Sequence, residues 1–383
     1  RRLAYFLMMT GSDSPEDFAA FAIASTPTND HAALAPKDDA PQHGPRPLPL
    51  FLDILWRETQ DDTIFRLKAL EGLRKYQSAK RNRRQPKADS IAQAGAARLL
   101  HYRGAGKPVI FIPSLINPHM VLDLSDRTSL MRYLCGRGIN VHLVDWGTPL
   151  AGDRDLGLSG HVEQRLLPLL KDLPEPPVLV GYCLGGTMAA AAAGLTEVAG
   201  LGMVAAPWAF DGFPEKTREL ITELWTKAKP MCEGLGYVPM EVLQSGFWSL
   251  DPARTIRKYA AFADAKEDSE EARTFITVED WANEGAPLTL GAGRELFEQL
   301  YADNEPGSGR WMVGGKIADP AALKVPFLNV LSETDKIVPA VTACPAGRQV
   351  HLSSGHVGMI VGGKARQQLW EPLAEWLLQS CLR

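Results

Sequence analysis

Apolar residues follow two different rhythms along this chain, and the change of rhythm marks its organisation. From Leu50 to Arg81, the residues Leu50, Phe51, Ile54, Leu55, Ile64, Leu67, Leu70, Leu73 and Tyr76 recur near helical spacing with charges between them. That spacing predicts an amphipathic helix. Its apolar face is expected to dock on the rest of the protein, with a second subunit or a lipid-like surface as the other occupants. Between Leu99 and Ala206 the rhythm becomes short apolar runs ending at Ile112, Val144, Val180 and Ala205, separated by helical patterns such as Ser129–Cys135 and Val162–Leu170. Runs at Val325–Leu331 and Gln349–Leu352 and an amphipathic helix over Ala365–Leu378 complete the pattern. Such alternation predicts an α/β fold with a mostly parallel, doubly wound sheet.

Pro207–Pro320 is too long for an ordinary connection between strands and predicts an inserted cap. The aromatic residues along it, Trp208, Phe210, Phe213, Phe247, Trp248 and Trp281, are expected mostly to fill the cap's own core. Pro27–Pro49 lacks periodicity and reads as an extended linker. The expected division is a leader with linker and amphipathic helix over 1–95, a catalytic core over 96–206 and 321–383, and a cap over 207–320.

Composition narrows the function classes. With 41 basic and 45 acidic residues the net charge is -4, which argues against a nucleic-acid binder driven by bulk charge. The local basic run Lys80–Arg84 is expected to be a solvated helix end, with CoA phosphates or an acidic partner as alternatives. The five cysteines, Cys135, Cys183, Cys232, Cys344 and Cys381, are scattered and unpaired in pattern, so neither a disulfide framework nor a zinc site is signalled. A free-thiol catalyst fits a reducing cytoplasm. Leu3–Met9 after two arginines resembles the start of a secretion signal, but it is short and no cleavage site follows. The sequence opens on Arg1 and not Met, which leaves residues upstream as an expectation. No stretch is long enough to be expected to span a membrane.

The chemistry concentrates in Val178–Ala190, VLVGYCLGGTMAA: an apolar strand, GxCxGG, then a small-residue helix. This resembles the nucleophile elbow of the α/β-hydrolase fold with cysteine in place of serine. Gly181, Gly185 and Gly186 would permit the sharp turn and close helix packing, and the helix N-terminus would favour a thiolate at Cys183. Further on, SETDKIVP places Asp335 just past a strand, and SSGHVG places His356 past the next one. The order nucleophile, acid, histidine is the one this fold uses. Among the other histidines, His351, His101 and His142 lie in or beside strands and His31 and His43 in the leader. His119 and His161 could line a pocket. The oxyanion hole needs two N–H donors, for which Leu184 and Leu115 are the candidates, with Ser114 the nearby alternative to the second.

These segments together resemble the polyhydroxyalkanoate synthases, α/β-hydrolase-fold acyltransferases. GYCLGG is similar to that family's cysteine version of the lipase box. IPSLINPHMVLDL, GRGINVHLVDWGTP, VEDWANEGAPL, SETDKIVP and SSGHVGMIVGG continue the match across roughly Leu99–Gly363. The resemblance implies Cys183 as acyl-carrying nucleophile with Asp335 and His356, a 3-hydroxyacyl-CoA substrate of (R) configuration, a growing polyester chain, and a location in the cytoplasm or at the polyester granule surface. It also implies a homodimer or a second synthase subunit, since short members work with a separate partner. No cofactor or metal is implied, CoA being part of the substrate. One departure is Lys336, where the family carries a histidine after the aspartate. A thioesterase or esterase using the same residues, and a non-catalytic partner subunit, remain the alternative functions.

Overall fold

A computed structural model of the protein describes residues 44–81 and 88–382. The opening segment, most of the expected linker, His31, His43 and residues 82–84 of the basic run lie outside the described residues. The chain divides into two compact units, one drawn from Arg1–Lys80 and Asp251–Ile276, the other from Arg81–Leu250 and Thr277–Arg383.

In the first unit the expected single helix is two, Leu48–Glu58 and Thr63–Ser78. The break falls at Thr59–Asp62, where Asp62 caps the second helix by accepting the Phe65 N–H at 2.8 Å. Their partner within the unit is the helix Pro252–Ala263. Phe51 meets Tyr259 edge-on at 4.9 Å, and Tyr259 also meets Tyr76 and Phe275. Gly72 permits the close approach, since a Cβ there would stand 1.8 Å from the Tyr259 carbonyl oxygen. Two corrections follow. Residues 251–276, expected in the cap, group with the N-terminal helices. Ile64 and Leu67, expected on the docking face, are 82% and 61% exposed, because the apolar spacing drifts once the helix restarts at Thr63.

The second unit is built on an eight-stranded sheet: β1 Asp89–Ala94, β2 Ala97–Arg103, β3 Pro108–Ile112, β4 Asn140–Asp145, β5 Val178–Tyr182, β6 Gly200–Val204, β7 Phe327–Ser332 and β8 Arg348–Leu352. The order across it is β1-β2-β4-β3-β5-β6-β7-β8. β1 and β2 form an antiparallel hairpin and β2 runs antiparallel to β4, while all other neighbours are parallel. β1 lies in the segment expected to be leader; its DSIAQA sequence carries little apolar signal because it is a largely exposed edge strand.

The central strands are apolar without alternation because both faces are covered. Val109 and Phe111 join the cluster that includes Leu134, Trp370, Leu373 and Leu377, and Ile110 and Ile112, alternating with them, are also fully buried. The chain leaves the sheet after Val204 and returns at Phe327, and that excursion includes the helices Glu215–Leu235 and Met240–Leu250. Of the six aromatics expected to be core, Trp208, Phe210, Phe213, Trp248 and Trp281 are buried and Phe247 is half-buried.

Because β3, β5, β6, β7 and β8 are parallel neighbours, their C-terminal ends share one edge of the sheet. At that edge the chain emerges towards Leu115 from β3, Cys183 from β5, Asp335 from β7 and His356 from β8. Open parallel sheets place their chemistry at such an edge.

Candidate active site

Cys183 sits between β5 and the helix Leu184–Ala193 with φ 56° and ψ -135°, a conformation that side-chain-bearing residues rarely adopt. Strain of that kind costs about 1–3 kcal/mol and persists only where the surroundings impose it. Here the helix is buried at every one of its 10 residues, and the Cys183 N–H is tied to the Val204 carbonyl at 3.0 Å. Two glycines make the tight packing possible. A Cβ on Gly181 would stand 2.3 Å from the Gly186 Cα, and one on Gly185 would stand 2.1 Å from the Ile112 carbonyl oxygen.

Asp335 and His356 follow β7 and β8, which lie beyond β6 from the Cys183 strand. Asp335 Oδ2 lies 2.6 Å from His356 Nδ1, while Asp335 Oδ1 accepts the N–H groups of Ile337 at 2.8 Å and Val338 at 3.0 Å. The Asp335 side chain is 0% and that of His356 7% exposed. The imidazole is also under the electrostatic influence of the Cys183 side chain. Burial by itself disfavours the imidazolium, but the charges of Asp335 and Cys183 and the hydrogen bond to Asp335 raise the His356 pKa to about 10. The ring stacks on Tyr182, centroids 5.0 Å apart, and the Tyr182 hydroxyl donates to the His356 carbonyl at 3.2 Å.

Two places offer N–H groups to an oxyanion. Leu184 is the first residue of its helix, so its N–H has no intrahelical acceptor. Leu115 lies in the loop after β3, and its N–H makes no hydrogen bond among the described residues. The neighbouring Ser114 N–H likewise makes no hydrogen bond among the described residues, while the Ser114 Oγ accepts the Ile116 N–H at 3.2 Å.

The other candidates fall elsewhere. His101 and His142 stack on each other at 4.5 Å within the sheet, and His351 pairs with Glu333. His119 Nδ1 lies 3.1 Å from Asp145 Oδ1. His161 contacts the Gly157 carbonyl at 2.7 Å and lines, with Leu115 and Trp146, a cavity of about 20 Å³. Burial pushes up the Cys135, Cys232 and Cys381 thiols, to about 11, 11 and 12, and raises Cys344 as well, which suits packing and not attack. Of the basic run, Arg81 is engaged by Asp280 at 3.0 Å. Lys336 is exposed.

Two residues near the site went unnoticed in the sequence. Tyr182 precedes Cys183 and stacks on the His356 imidazole. Tyr301 is a residue whose hydroxyl pKa is raised by burial and by the charge of Cys183. It also lines a cavity of about 670 Å³ along the helix Glu215–Leu235. No sequence signal separated Tyr301 from other cap aromatics, because its proximity to Cys183 is created only by the return of the chain to the sheet. Among the described residues no cluster suited to a metal ion is present, and no helix is long and apolar enough to cross a membrane.

Comparison with known proteins adds three findings. Residues 99–362 match the model of the alpha/beta hydrolase family. The chain is 27% identical to a poly(3-hydroxyalkanoate) polymerase subunit PhaC of Haloferax mediterranei over 303 residues, 74% of this chain and 62% of the relative, so it spans about three fifths of that protein. It is also 27% identical to the subunit of that name from a Synechocystis species over 362 residues, 86% of this chain and 95% of the relative. Among solved structures, a thermophilic esterase from Thermogutta terrifontis superimposes with a TM-score of 0.48 at 16% identity, covering 78% of this chain and 99% of the esterase.

Proposed function

The chain belongs to the alpha/beta hydrolase family, and from that footing we propose that it is a polyhydroxyalkanoate synthase, joining 3-hydroxyacyl units from CoA thioesters through an acyl-enzyme on Cys183. The observation that carries this reading is a cysteine, where hydrolases of this fold usually place serine, on a strained elbow at the sheet edge that also carries a buried histidine–aspartate pair. The relatives named as polymerase subunits support the substrate class.

The chemistry suits a thiol. Exchange between a thiolate and a thioester replaces one carbon–sulfur bond by another, so neither direction is strongly uphill, whereas serine would hold the acyl group as a more stable ester. In the proposed cycle Cys183 attacks the thioester carbonyl as the thiolate, its proton already held by His356. The oxyanion is received by the N–H groups of Leu184 and Leu115. Collapse breaks the bond to CoA, which leaves with the proton returned by His356. The neutral imidazole then takes the proton of a 3-hydroxyl group whose oxygen attacks the Cys183 thioester, forming an ester bond and freeing the sulfur. Asp335 fixes the Nδ1–H tautomer throughout. CoA is substrate here, and the cycle uses no cofactor. A second copy of the chain or a separate synthase subunit as partner, and a location at the polyester surface, belong to the same proposal.

The test is incubation of the protein with (R)-3-hydroxybutyryl-CoA, following thiol release and identifying the acyl product, with Cys183→Ala alongside. Release of CoA with insoluble polyester, abolished in Cys183→Ala, is the expected result. Release yielding only free hydroxy acid would replace synthase by thioesterase, and release that survives Cys183→Ala would remove the nucleophile from the scheme.

A further inference from the structure

The loop Pro113–Pro118, which carries the Leu115 N–H, is gripped at both ends by indole groups. Trp146 Nε1 donates to the Pro113 carbonyl at 3.0 Å, and Trp281 Nε1 donates to the Pro118 carbonyl at 2.8 Å. The two tryptophans come from separate places: Trp146 directly follows β4, and Trp281 is in the last turn of the helix Glu270–Asn283. Both gripped residues are prolines, which have no N–H to anchor the loop from the donor side, so their carbonyls are the available handles. Between them the Ser114 hydroxyl ties down the Ile116 N–H. The elbow abuts the same loop, since a Cβ on Gly185 would stand 2.4 Å from the Pro113 carbonyl oxygen.

A peptide is planar, so holding a carbonyl also holds the direction of the N–H on the other side of the same bond. The held Pro113 carbonyl fixes the Ser114 N–H and the engaged Ile116 N–H fixes the Leu115 carbonyl, so the Leu115 N–H lies between two pinned peptides, without a partner among the described residues. Trp146 is itself steadied by its neighbour Asp145, which takes hydrogen bonds from Arg98 at 2.5 Å and the Gly147 N–H at 3.0 Å and lies 3.1 Å from His119. Trp281 is 8% exposed and packs in the core cluster with Val121, Leu122 and Met359.

We propose that Trp146 and Trp281 are positioning residues that set the oxyanion-accepting loop, acting through their indole N–H groups on acyl transfer at Cys183. The role rests on the reading of Leu115 as the second oxyanion donor, and it applies to acylation of Cys183 by any activated acyl group.

That generality supplies a test that does not depend on polymer formation. A p-nitrophenyl ester acylates the thiolate by forming the S–C bond and expelling p-nitrophenolate through an oxyanion. Iodoacetamide alkylates the same sulfur by displacing iodide, with no oxyanion at all. Both rates are measured on the full chain for wild type, Trp281→Phe and Trp146→Phe, each variant keeping the aromatic bulk and losing the donor. Removing an oxyanion-hole donor outright lowers rates about 100- to 1,000-fold, so loosening its loop is expected to slow acylation about 10- to 100-fold. Alkylation should stay within about twofold. A merely structural role would move both rates together or neither, and either of those results overturns the proposal. Failure of wild type to be acylated at Cys183 would overturn it together with the nucleophile assignment. Acylation of wild type without polyester from hydroxyacyl-CoA would sink the synthase reading alone.

Discussion

Asp335→Asn changes one atom of the site and should disable it. Asp335 Oδ1 accepts two backbone N–H groups, from Ile337 and Val338, while Oδ2 faces His356 Nδ1 at 2.6 Å. In the variant the amide oxygen must stay on the two N–H donors, because the reverse orientation would set an NH₂ against both of them. The NH₂ then points at Nδ1, which must become an acceptor, and the imidazole proton moves to Nε2. An imidazole so arranged cannot take the Cys183 proton. The charge of Asp335 is also one of the influences that overcome burial and hold His356 at about 10, so its loss should lower that pKa and the imidazolium population with it. Where this wrong-tautomer effect has been isolated in a triad, the loss is about ten-thousandfold, and a fall in kcat of about a thousand- to ten-thousandfold is expected here. The assay is CoA release at saturating hydroxyacyl-CoA, with circular dichroism to check the fold; a variant that folds and keeps kcat within about tenfold of wild type would refute the reasoning. The same pair has a stability signature. A pKa raised on folding contributes fully below 6.5 and loses its contribution as pH climbs through about 10. The Tm difference between wild type and Asp335→Asn should therefore be widest near about pH 6 and shrink towards about pH 10.

Three further outcomes are expected. Gly185→Ala drives a Cβ into backbone carbonyls at 2.1 and 2.4 Å, so urea unfolding should show a loss of about 2–4 kcal/mol and acylation should slow with it; unchanged values would mean the elbow and the β3 loop are looser than drawn. Burial and the nearby His101 lower the His142 pKa to about 4, so the folded state resists protonation that the unfolded chain accepts below 6.5. Stability from this group is thus lost as pH falls from 6.5 through about 4, by about 2–3 kcal/mol; His142→Phe should flatten that part of the Tm profile, and an unaltered slope would count against the assignment. Finally, brief treatment with iodoacetamide near neutral pH should place label on Cys183 alone by peptide mass mapping, since burial raises the other four thiols; label spread evenly over several cysteines would contradict the burial pattern.

How much of this was legible depends on whether the information was local. The strand, turn and helix around Cys183 are written in thirteen consecutive residues, VLVGYCLGGTMAA, and the structure forms them in that order, with the strand running two residues past the apolar run to Tyr182. Asp335 and His356 were legible for a related reason: each follows a short apolar run, and parallel strands deliver their ends to one edge whatever intervenes. β1 was missed because an exposed edge strand need not be apolar. The grouping of 251–276 with the N-terminal helices was missed because Phe51, Tyr76 and Tyr259 find each other across nearly 200 residues, and periodicity reports a face without reporting its partner.

The loop after β3 shows the same boundary most clearly. Its sequence, PSLINP, suggested a donor at Leu115 from position alone. What pins the two ends of that loop is a pair of indole bonds to proline carbonyls, one spanning 33 residues and the other 163. Trp281 reads, in sequence, as one of the aromatics expected to fill the cap's own core, and it does pack in the core cluster. A single N–H on each indole does something that phenylalanine could not, and no hydrophobic pattern distinguishes the two. Residues that act through one polar atom on an otherwise apolar side chain are therefore the ones a sequence conceals, and substitutions that spare the bulk and remove the atom are the way to find them.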